Sequence, residues 1–389
     1  MPIRNGGRSI LVLGGGIGGV AAARALRRRL DRRHRIVLVD RATDHVFAPS
    51  LPWVIVGQRT MAQITRPLDG LTRRGIDVIR AEVLRVDPAT RGVTLDSGQP
   101  ITADYVVVSL GADLDPTSIP GLAAAGHNLY DAAGARSLFE ELRALPSGRL
   151  IVLTAAPAYK CPAAPYEAAM LLDGWLRRHG RRADVTVAVY AAEPGPMGVA
   201  GPRVSAGVRE MLAARTIAYH PLHQVTGVDR AARRVTFGSG TDTSFDLLAY
   251  VPAHRAPAAV RDSGLTDASG WIPVNRTTLE TSHAGVFAIG DVTCIPLAMG
   301  KPLPKAGVFA HRQAEAVAKR IAAEINGTGA RGAFDGWGEC FIETGDGRAG
   351  MGRGNFYAEP FPEVALRAPS WRWHAAKVMF EKWWLYRQI

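Results

Sequence analysis

The 389-residue sequence predicts an α/β fold of two tandem Rossmann-like domains followed by a small C-terminal domain. Three observations predict it: a glycine-rich turn between an apolar strand and an alanine-rich helix, an internal repeat, and a glycine-rich hairpin near the C-terminus. Hydrophobic residues at 47% and charged residues at 21% are typical of a folded globular protein rather than a disordered or fibrous one.

The first strand and its turn carry a dinucleotide-binding motif. An apolar run over residues 9–13 leads into the turn, and a helix is predicted over residues 20–30. The motif glycines are Gly14, Gly16 and Gly19. Such glycines permit a tight turn, close approach of the backbone to a pyrophosphate, and packing of the helix on the strand. A second strand ends in Asp40, 21 residues beyond the last glycine, where an acid would hold ribose hydroxyls.

The second half of the chain repeats the plan of the first. Residues 86–98 recur as residues 228–240, and both copies place Val-Asp before a turn and Val-Thr after it. At the same spacing of 142 residues, Asp104 before one apolar run matches Asp246 before another. The repeat therefore predicts a second domain built from the same strands and hairpin.

The corresponding turn of the second domain has lost its glycines. A strand over residues 150–153 leads into Thr-Ala-Ala-Pro-Ala-Tyr, residues 154–159. We expect no NAD(P) there, because side chains stand where the backbone should approach a pyrophosphate. Instead Cys161, preceded by lysine and followed by proline, precedes a helix over 163–179. A helix N-terminus and a lysine favour a thiolate, so we predict a reactive cysteine, the alternative being an inert buried one.

Short segments spread over almost the whole chain carry a family resemblance. They are residues 14–19, 47–53, 161–167, 286–291, 303–307 and 380–382. In these segments the sequence resembles the sulfide:quinone oxidoreductases and the related flavocytochrome c sulfide dehydrogenase flavoproteins. The Cys-Pro-Ala-Ala-Pro-Tyr-Glu segment beginning at Cys161 is the most specific to that family.

The resemblance implies FAD as the cofactor, bound by a discontinuous domain. The implied boundaries are 1–113 and 271–330 for the FAD-binding domain, 114–270 for the second Rossmann-like domain, and 331–389 for the C-terminal domain. The residues implied to bind FAD are Gly14, Gly16, Gly19, Asp40, Gly111, Gly290, Asp291 and Lys305. Cys161 and Cys340 are implied as a redox pair and Glu167 as a proton-handling acid, with no metal. We expect the third cysteine, Cys294, to be structural.

The C-terminal domain predicts contact with a membrane surface. Residues 332–359 are glycine-rich and predict a hairpin that presents Cys340. Residues 371–389 have helical character and hold four of the eight tryptophans among lysines and arginines, which is typical of an interfacial amphipathic helix. The alternative is an aromatic helix docked on the protein. The resemblance implies that Phe380 contacts quinone.

The net charge and the lengths of the apolar runs restrict the kinds of partner that the protein can bind. The net charge of +12 suits nucleic acid, an anionic membrane or an anionic substrate, but no nucleic-acid-binding motif is present. No segment has the sequence pattern of a membrane span or of a signal peptide. We therefore expect a peripheral, monotopic protein on the cytoplasmic side of the cell membrane, and a homo-oligomer is compatible with the sequence.

The leading hypothesis is FAD-dependent oxidation of sulfide, or of a related persulfide, with electrons passed to membrane quinone. Three alternatives remain: a type II NADH:quinone oxidoreductase, a flavocytochrome-type sulfide dehydrogenase, and a non-enzymatic binding protein that keeps a flavin fold. The first alternative requires a nicotinamide-binding turn that residues 154–159 lack.

Overall fold

The computed structural model describes residues 6–98 and 100–389 as an α/β protein with two separate five-stranded parallel sheets. The strands are β1 (Ser9–Leu13), β2 (Arg35–Asp40), β3 (Asp44–Val46), β4 (Thr65–Pro67), β5 (Asp77–Arg80), β6 (Val83–Asp87), β7 (Gly92–Leu95), β8 (Pro100–Thr102), β9 (Tyr105–Val108), β10 (Asp113–Asp115), β11 (His127–Asn128), β12 (Gly148–Thr154), β13 (Val185–Ala191), β14 (Ala218–His220), β15 (Val225–Asp229), β16 (Arg234–Phe237), β17 (Asp242–Ser244), β18 (Leu247–Val251), β19 (Ala253–Arg255), β20 (Ile272–Pro273), β21 (Val286–Ala288), β22 (Thr293–Cys294), β23 (Trp337–Glu343), β24 (Ala349–Asn355) and β25 (Glu363–Ser370). The helices are α1 (Ile17–Arg29), α2 (Leu51–Val54), α3 (Met61–Ile64), α4 (Leu122–Ala125), α5 (Ala132–Ala144), α6 (Ala164–Arg178), α7 (Pro202–Ala213), α8 (Ala258–Arg261), α9 (Gly307–Asn326) and α10 (Trp371–Trp383).

The first parallel sheet has the order β21-β9-β1-β2-β5. Its central strands are continuous runs of buried Val, Ile and Leu, as expected when helices cover both faces of a sheet. Strand β21 comes from the second half of the sequence and pairs with β9 in parallel. The N-terminal sheet is therefore completed by a distant segment, which confirms the predicted discontinuous fold. The residue boundaries predicted for the domains stay a prediction.

The second parallel sheet, β11-β18-β12-β13-β14, repeats this plan and confirms the internal repeat. Each half also holds a three-stranded antiparallel sheet, β6-β7-β8 in the first and β15-β16-β17 in the second. The bounds of these two sets of strands are related by the same spacing of 142 residues that the sequence predicts.

The C-terminal part is an antiparallel sheet followed by a helix. Strands β23 and β24 form the predicted hairpin, and a third strand, β25, which was not predicted from the sequence, pairs with β24. Helix α10 continues into a π-helical turn, Trp384–Gln388. In the described part of the chain, no helix is both long and apolar enough to cross a membrane.

Helix α10 buries one lysine and one glutamate, and it exposes aromatic residues together with Arg372 and Lys382. Lys377 and Glu381 are buried, and Glu381 pairs with Arg59 at 3.0 Å. Trp384, in the turn that follows, is fully buried and donates to His45 Nε2 at 2.9 Å. The large apolar side chains exposed on this segment are Trp371, Met379, Phe380, Trp383 and Tyr386. The helix is thus docked on the protein, as one of the two interpretations expected, while an apolar outer surface remains.

Candidate active site

The glycine turn after β1 leaves space for a pyrophosphate at Gly16, but it is packed too tightly for a side chain at Gly14 or Gly19. A Cβ on Gly14 would lie 2.5 Å from the Ser109 carbonyl oxygen, and one on Gly19 would lie 1.8 Å from the Gly14 oxygen. A Cβ on Gly16, at the start of α1, would meet nothing within 4 Å. The turn is therefore tight where it packs and open at the amide end of the helix, where an anion is favoured.

Two further residues predicted to bind FAD, Asp40 and Gly111, lie at the end of β2 and just after β9. The Asp40 carboxylate, at the end of β2, accepts from the Gly15 N–H at 2.5 Å and the Ala42 N–H at 2.6 Å. Gly111, just after β9, has a φ of +71° and open space around its Cα. Asp40 thus stands beside the turn, where it could accept from ribose hydroxyls.

The segment from Gly290 to Lys305 supplies the remaining predicted FAD contacts. Gly290 has a φ of +73°, and its N–H donates to Gln313 Oε1 at 2.7 Å. Lys305 Nζ donates to the carbonyl oxygens of Asp291, at 2.6 Å, and Thr293, at 2.9 Å. Burial lowers the pKa of Lys305 to about 8.

Asp291 keeps its side chain available for a ligand. Among the described residues no donor reaches its carboxylate, and burial raises the pKa of Asp291 while Lys160 and Lys305 oppose that rise. An ionisable oxygen pair without a protein donor fits a hydroxylated ligand such as the ribityl chain of FAD. Together with the open glycine turn, these residues fit the cofactor.

Cys161 lies in the loop between β12 and α6, held by backbone hydrogen bonds. Its N–H donates to the Lys305 carbonyl oxygen at 2.6 Å, which ties it to the segment predicted to bind FAD. Its carbonyl accepts from the Ala164 N–H at 2.9 Å and from the Tyr130 hydroxyl at 3.1 Å. Its φ is +48°, a left-handed conformation that non-glycine residues rarely adopt and that occurs at functional sites.

The prediction that Cys161 favours a thiolate is wrong for this structure. Burial raises its pKa well above the ordinary thiol value, and the neighbouring Cys340 and Glu167 raise it further. Helix α6 begins only at Ala164, and the Lys160 ammonium lies over the Tyr130 ring, 5.7 Å from its centroid. Desolvation therefore exceeds the effect of the helix terminus and the lysine.

Cys340 lies in the middle of β23, opposite Gly352 of β24. Burial raises the pKa of Cys340 to about 12, with Glu167 raising it further and Lys377 opposing. Cys161, Cys294 and Cys340 are all free thiols in the structure. The two cysteines of the predicted pair, which are far apart in sequence, thus lie near the same charged side chains, Glu167 and Lys377, and influence each other electrostatically.

Glu167, on the first turn of α6, joins the cysteine loop to the C-terminal domain. Its Oε1 accepts from Lys377 Nζ at 2.7 Å and from the Glu343 N–H at 2.9 Å. Burial raises the pKa of Glu167, opposed by the Lys377 ammonium. The Glu343 carboxylate in turn contacts His374 Nδ1 at 3.0 Å. No sequence motif marks Lys377, Glu343 or His374, which only the fold brings to this site.

Phe380, predicted to contact quinone, lies one helical turn beyond Lys377. It is 36% exposed, and its ring packs edge-on against Phe47 at 5.7 Å between centroids. Phe47 begins the 47–53 segment that carried part of the family resemblance. Phe380 therefore lies in the apolar contact between α10 and that segment.

The turn of the second domain is filled by its own side chains. Glu193, two residues beyond β13, accepts hydrogen bonds from Thr154 Oγ1 at 2.8 Å, from Tyr166 OH at 2.6 Å and from Tyr159 OH. Tyr159 is buried, and burial raises its pKa well above the ordinary tyrosine value. The acid near the end of this second strand is thus bound internally, whereas Asp40 of the first domain lies beside an open turn.

Comparisons with known proteins agree with this architecture. A family model described as pyridine nucleotide-disulphide oxidoreductase matches residues 8–314. The sulfide-quinone reductase of Aquifex aeolicus is 27% identical, over 98% of this chain and 91% of that protein. The mitochondrial sulfide:quinone oxidoreductase of Mus musculus is 23% identical, over 90% of this chain and 79% of that protein. The solved structure of the Aquifex aeolicus sulfide:quinone oxidoreductase superposes with a TM-score of 0.88 at 26% identity, covering 98% of this chain and 91% of that one.

Proposed function

This chain belongs to the pyridine nucleotide-disulphide oxidoreductase family and is an FAD-dependent oxidoreductase, and we propose that it oxidises sulfide through Cys161 and Cys340 and delivers the electrons to membrane quinone. The observation that carries this proposal is one buried cluster. In it the Cys161 N–H bonds to the Lys305 carbonyl, and Glu167 bonds to the strand that carries Cys340. Sulfur chemistry and the FAD-binding segment are thereby adjacent.

The proposed reaction begins with the two cysteines joined as a disulfide. Hydrosulfide attacks one cysteine sulfur, a new S–S bond forms, the bond between the cysteines breaks, and the second cysteine leaves with the electron pair. FAD, when bound, supplies the two-electron acceptor for this chemistry. A related persulfide donor would react at the same sulfur atoms.

The protein contributes a proton acceptor matched to these thiols. Burial raises the pKa of both cysteines, so their deprotonation requires a nearby base. Glu167 stands beside them with its own pKa raised by burial, which brings it closer to neutral pH, where a general base is most effective. Lys377 balances the carboxylate charge when Glu167 is ionised.

The outer surface of α10 supports quinone delivery from a membrane. Met379, Trp383 and Tyr386 share one side of the helix and are 66%, 42% and 61% exposed. The helix exposes these apolar side chains together with Arg372 and Lys382, a combination that fits the surface of an anionic membrane. We propose that this surface lies on the anionic cytoplasmic leaflet, consistent with the net charge of +12, and that quinone reaches Phe380 from there.

NADH is disfavoured as the electron donor. A dinucleotide at the second turn would need close backbone approach and a free acid for its ribose. Tyr159 and Tyr166 both donate to that acid, Glu193, and no glycine precedes them in the turn. The type II NADH:quinone oxidoreductase alternative therefore lacks a binding site of the expected kind.

Anaerobic stopped-flow absorbance of the FAD-loaded protein tests the proposed function. Sulfide is expected to bleach the flavin band and a soluble quinone to restore it, with bleaching lost in Cys161→Ser and in Cys340→Ser. Cys294→Ser is the control for the loss of a thiol, because Cys294 is also half-buried but makes no hydrogen bond to Glu167 or Lys377 among the described residues. A flavin that ignores sulfide but is bleached by NADH would reject the proposal.

A further inference from the structure

We propose that the contact between α6 and the tip of the β23–β24 hairpin is a clamp that sets the distance between Cys161 and Cys340. The tip consists of residues 344–348, which connect the two strands. Cys161 lies three residues before the start of α6, and Cys340 lies on β23. The proposal rests on the proposed function, because a redox pair needs its two sulfur atoms at bonding distance.

Helix α6 contacts the hairpin at two places. Near the start of the helix, Glu167 Oε1 accepts from the Glu343 N–H at 2.9 Å. Seven residues further along the helix, which is about two turns, Gly174 packs against Gly345 of the tip. The contacts follow in the same order on both elements, so α6 and β23 run in the same direction. Both cysteines precede the first contact and therefore lie at the same end of this packed pair.

The two cysteines lie at matching distances from the first contact. A strand rises about 3.3 Å per residue, so Cys340 lies about 10 Å before Glu343 along β23. A helix rises about 1.5 Å per residue, so Ala164 lies about 4.5 Å before Glu167, and the loop that begins at Cys161 can span the rest. A shift of β23 along α6 therefore moves Cys340 relative to Cys161 by the same amount.

Glycines bring the helix and the tip into direct backbone contact. A Cβ on Gly174 would lie 2.5 Å from the Gly345 carbonyl oxygen, and a Cβ on Gly345 would meet the Met170 carbonyl oxygen. Gly345 also has a φ of +93°, which favours glycine. Backbone atoms cannot move aside as the end of a flexible side chain can, so any larger residue at either position pushes the tip away from α6.

Two arginines bond the tip to α6. Arg178, at the end of α6, donates from Nη1 to the Gly345 carbonyl oxygen at 2.7 Å. Arg215, just after α7, donates to the Asp346 carboxylate and, from Nη1 at 2.8 Å, to the carboxylate of Asp173 on α6. Asp173 is fully buried, so its position is fixed by the core. The tip is thereby bonded to α6 both directly and through Arg215.

A disulfide tolerates little error in the positions of its two cysteines. Their Cα atoms must lie about 4.4–6.8 Å apart, and a displacement from the preferred geometry stores strain that makes the bond easier to reduce. The equilibrium between disulfide and dithiol therefore reports the distance between Cys161 and Cys340, which the thermal unfolding midpoint does not.

The test measures this equilibrium in the FAD-loaded protein. Anaerobic samples are equilibrated with glutathione, where one oxidised glutathione and the protein dithiol give the protein disulfide and two reduced glutathiones. Rapid alkylation and mass spectrometry then give the fraction with the Cys161–Cys340 disulfide. Gly174→Ala should raise the ratio [GSSG]/[GSH]² needed for half-oxidation by about tenfold, equivalent to about 30 mV, because a misplacement of about 1 Å has effects of this size or larger.

Val235→Ala is the control for lost stability. Val235 is fully buried in a separate hydrophobic core cluster, so this variant should lower the thermal unfolding midpoint and leave the glutathione ratio unchanged.

A second variant loosens the clamp without crowding it. Arg178→Ala combined with Asp346→Ala should raise the ratio by about threefold, a smaller effect because Asp346 is 57% exposed and exposed ion pairs contribute little. Glu363→Ala is its matched control, because Glu363 is an exposed acid on β25 of the same sheet without a hydrogen-bond or ion-pair partner among the described residues. If Gly174→Ala does not fold, the double variant decides alone.

The clamp and the proposed function fail in different ways. A ratio that the folded clamp variants leave unchanged, or that the controls raise equally, would overturn the clamp while leaving sulfide oxidation standing. A wild-type protein that forms no Cys161–Cys340 disulfide at any ratio would overturn the redox pair of the proposed function and the clamp with it.

Discussion

Removing the charge of Lys377 should destabilise the protein by an amount that depends on pH. In Lys377→Met, the Glu167 carboxylate loses its 2.7 Å partner inside the fold. Breaking one side of a buried ion pair costs about 3–5 kcal/mol while the remaining group stays charged. Because burial already raises the pKa of Glu167 above its ordinary 4.5, the variant should raise it further, and protonation at low pH should relieve part of the loss.

The sign follows from proton binding. The folded variant holds the Glu167 proton more tightly than the unfolded chain, so this contribution to stability is present at low pH and is lost as pH rises through the folded pKa. Lys377, whose pKa is raised from 10.5, stays charged in the wild type throughout that range. The loss on substitution is therefore expected to be larger at pH 8.5 than at pH 5.5.

Urea unfolding at those two pH values, followed by far-UV circular dichroism and by flavin absorbance, measures the effect. Glu167→Gln combined with Lys377→Met should recover much of the loss at pH 8.5, since neither position of the pair then carries a buried charge. Equal losses at both pH values, or a loss below about 1 kcal/mol at pH 8.5, would refute the assignment of a buried ion pair at this position.

Three further predictions concern the cofactor and the membrane. Gly19→Ala should lose most of its bound FAD, measured as flavin absorbance per protein, because the new Cβ would lie 1.8 Å from the Gly14 oxygen and overpacking costs about 1–3 kcal/mol. Trp383→Ala should weaken sedimentation with anionic vesicles by about tenfold, since burial of a large apolar side chain is worth about 1.5–3 kcal/mol. Leu222→Ala, 68% exposed but far from α10 in sequence, should not weaken it, and equal binding of both variants would argue against the α10 surface. Flavin reduction by sulfide should fall about tenfold per pH unit above pH 8 in the wild type, because the Lys305 ammonium would stabilise the anionic reduced flavin and, with its pKa lowered to about 8 by burial, loses its charge there. Lys305→Arg should remove that decline, and a decline shared by both would assign it to another group.

Local sequence patterns were sufficient for the architecture. The glycine turn and the hairpin around Cys340 are each encoded within a few dozen neighbouring residues, the repeat is a match between two such short segments 142 residues apart, and each is present in the structure. The steric restrictions at Gly14 and Gly19 explain why the glycine motif predicts this turn from the sequence alone. The third strand, β25, was missed because its sequence, Glu-Val-Ala-Leu-Arg-Ala-Pro-Ser, contains a proline and no clear alternation.

The contacts within the cluster around the cysteines could not be predicted from local sequence patterns. The Lys377 contact with Glu167 spans 210 residues of sequence, and the Glu343 contact with Glu167 spans 176. Desolvation of Cys161 likewise depends on which distant segments cover it, so a local argument from the helix terminus gave the wrong direction for its pKa. The inward direction of two charged residues of α10 could not be predicted from the sequence for the same reason. Lys377 and Glu381 face the protein because Glu167 and Arg59, which are distant in sequence, pair with them there.

Mass spectrometry of the protein after brief anaerobic exposure to sulfide and rapid alkylation tests the central claim most directly. Sulfide oxidation through the cluster predicts that the peptide carrying Cys161 or the one carrying Cys340 gains the mass of at least one sulfur atom, while the Cys294 peptide does not. No added sulfur on either peptide, or sulfur on Cys294 to the same extent, would contradict it.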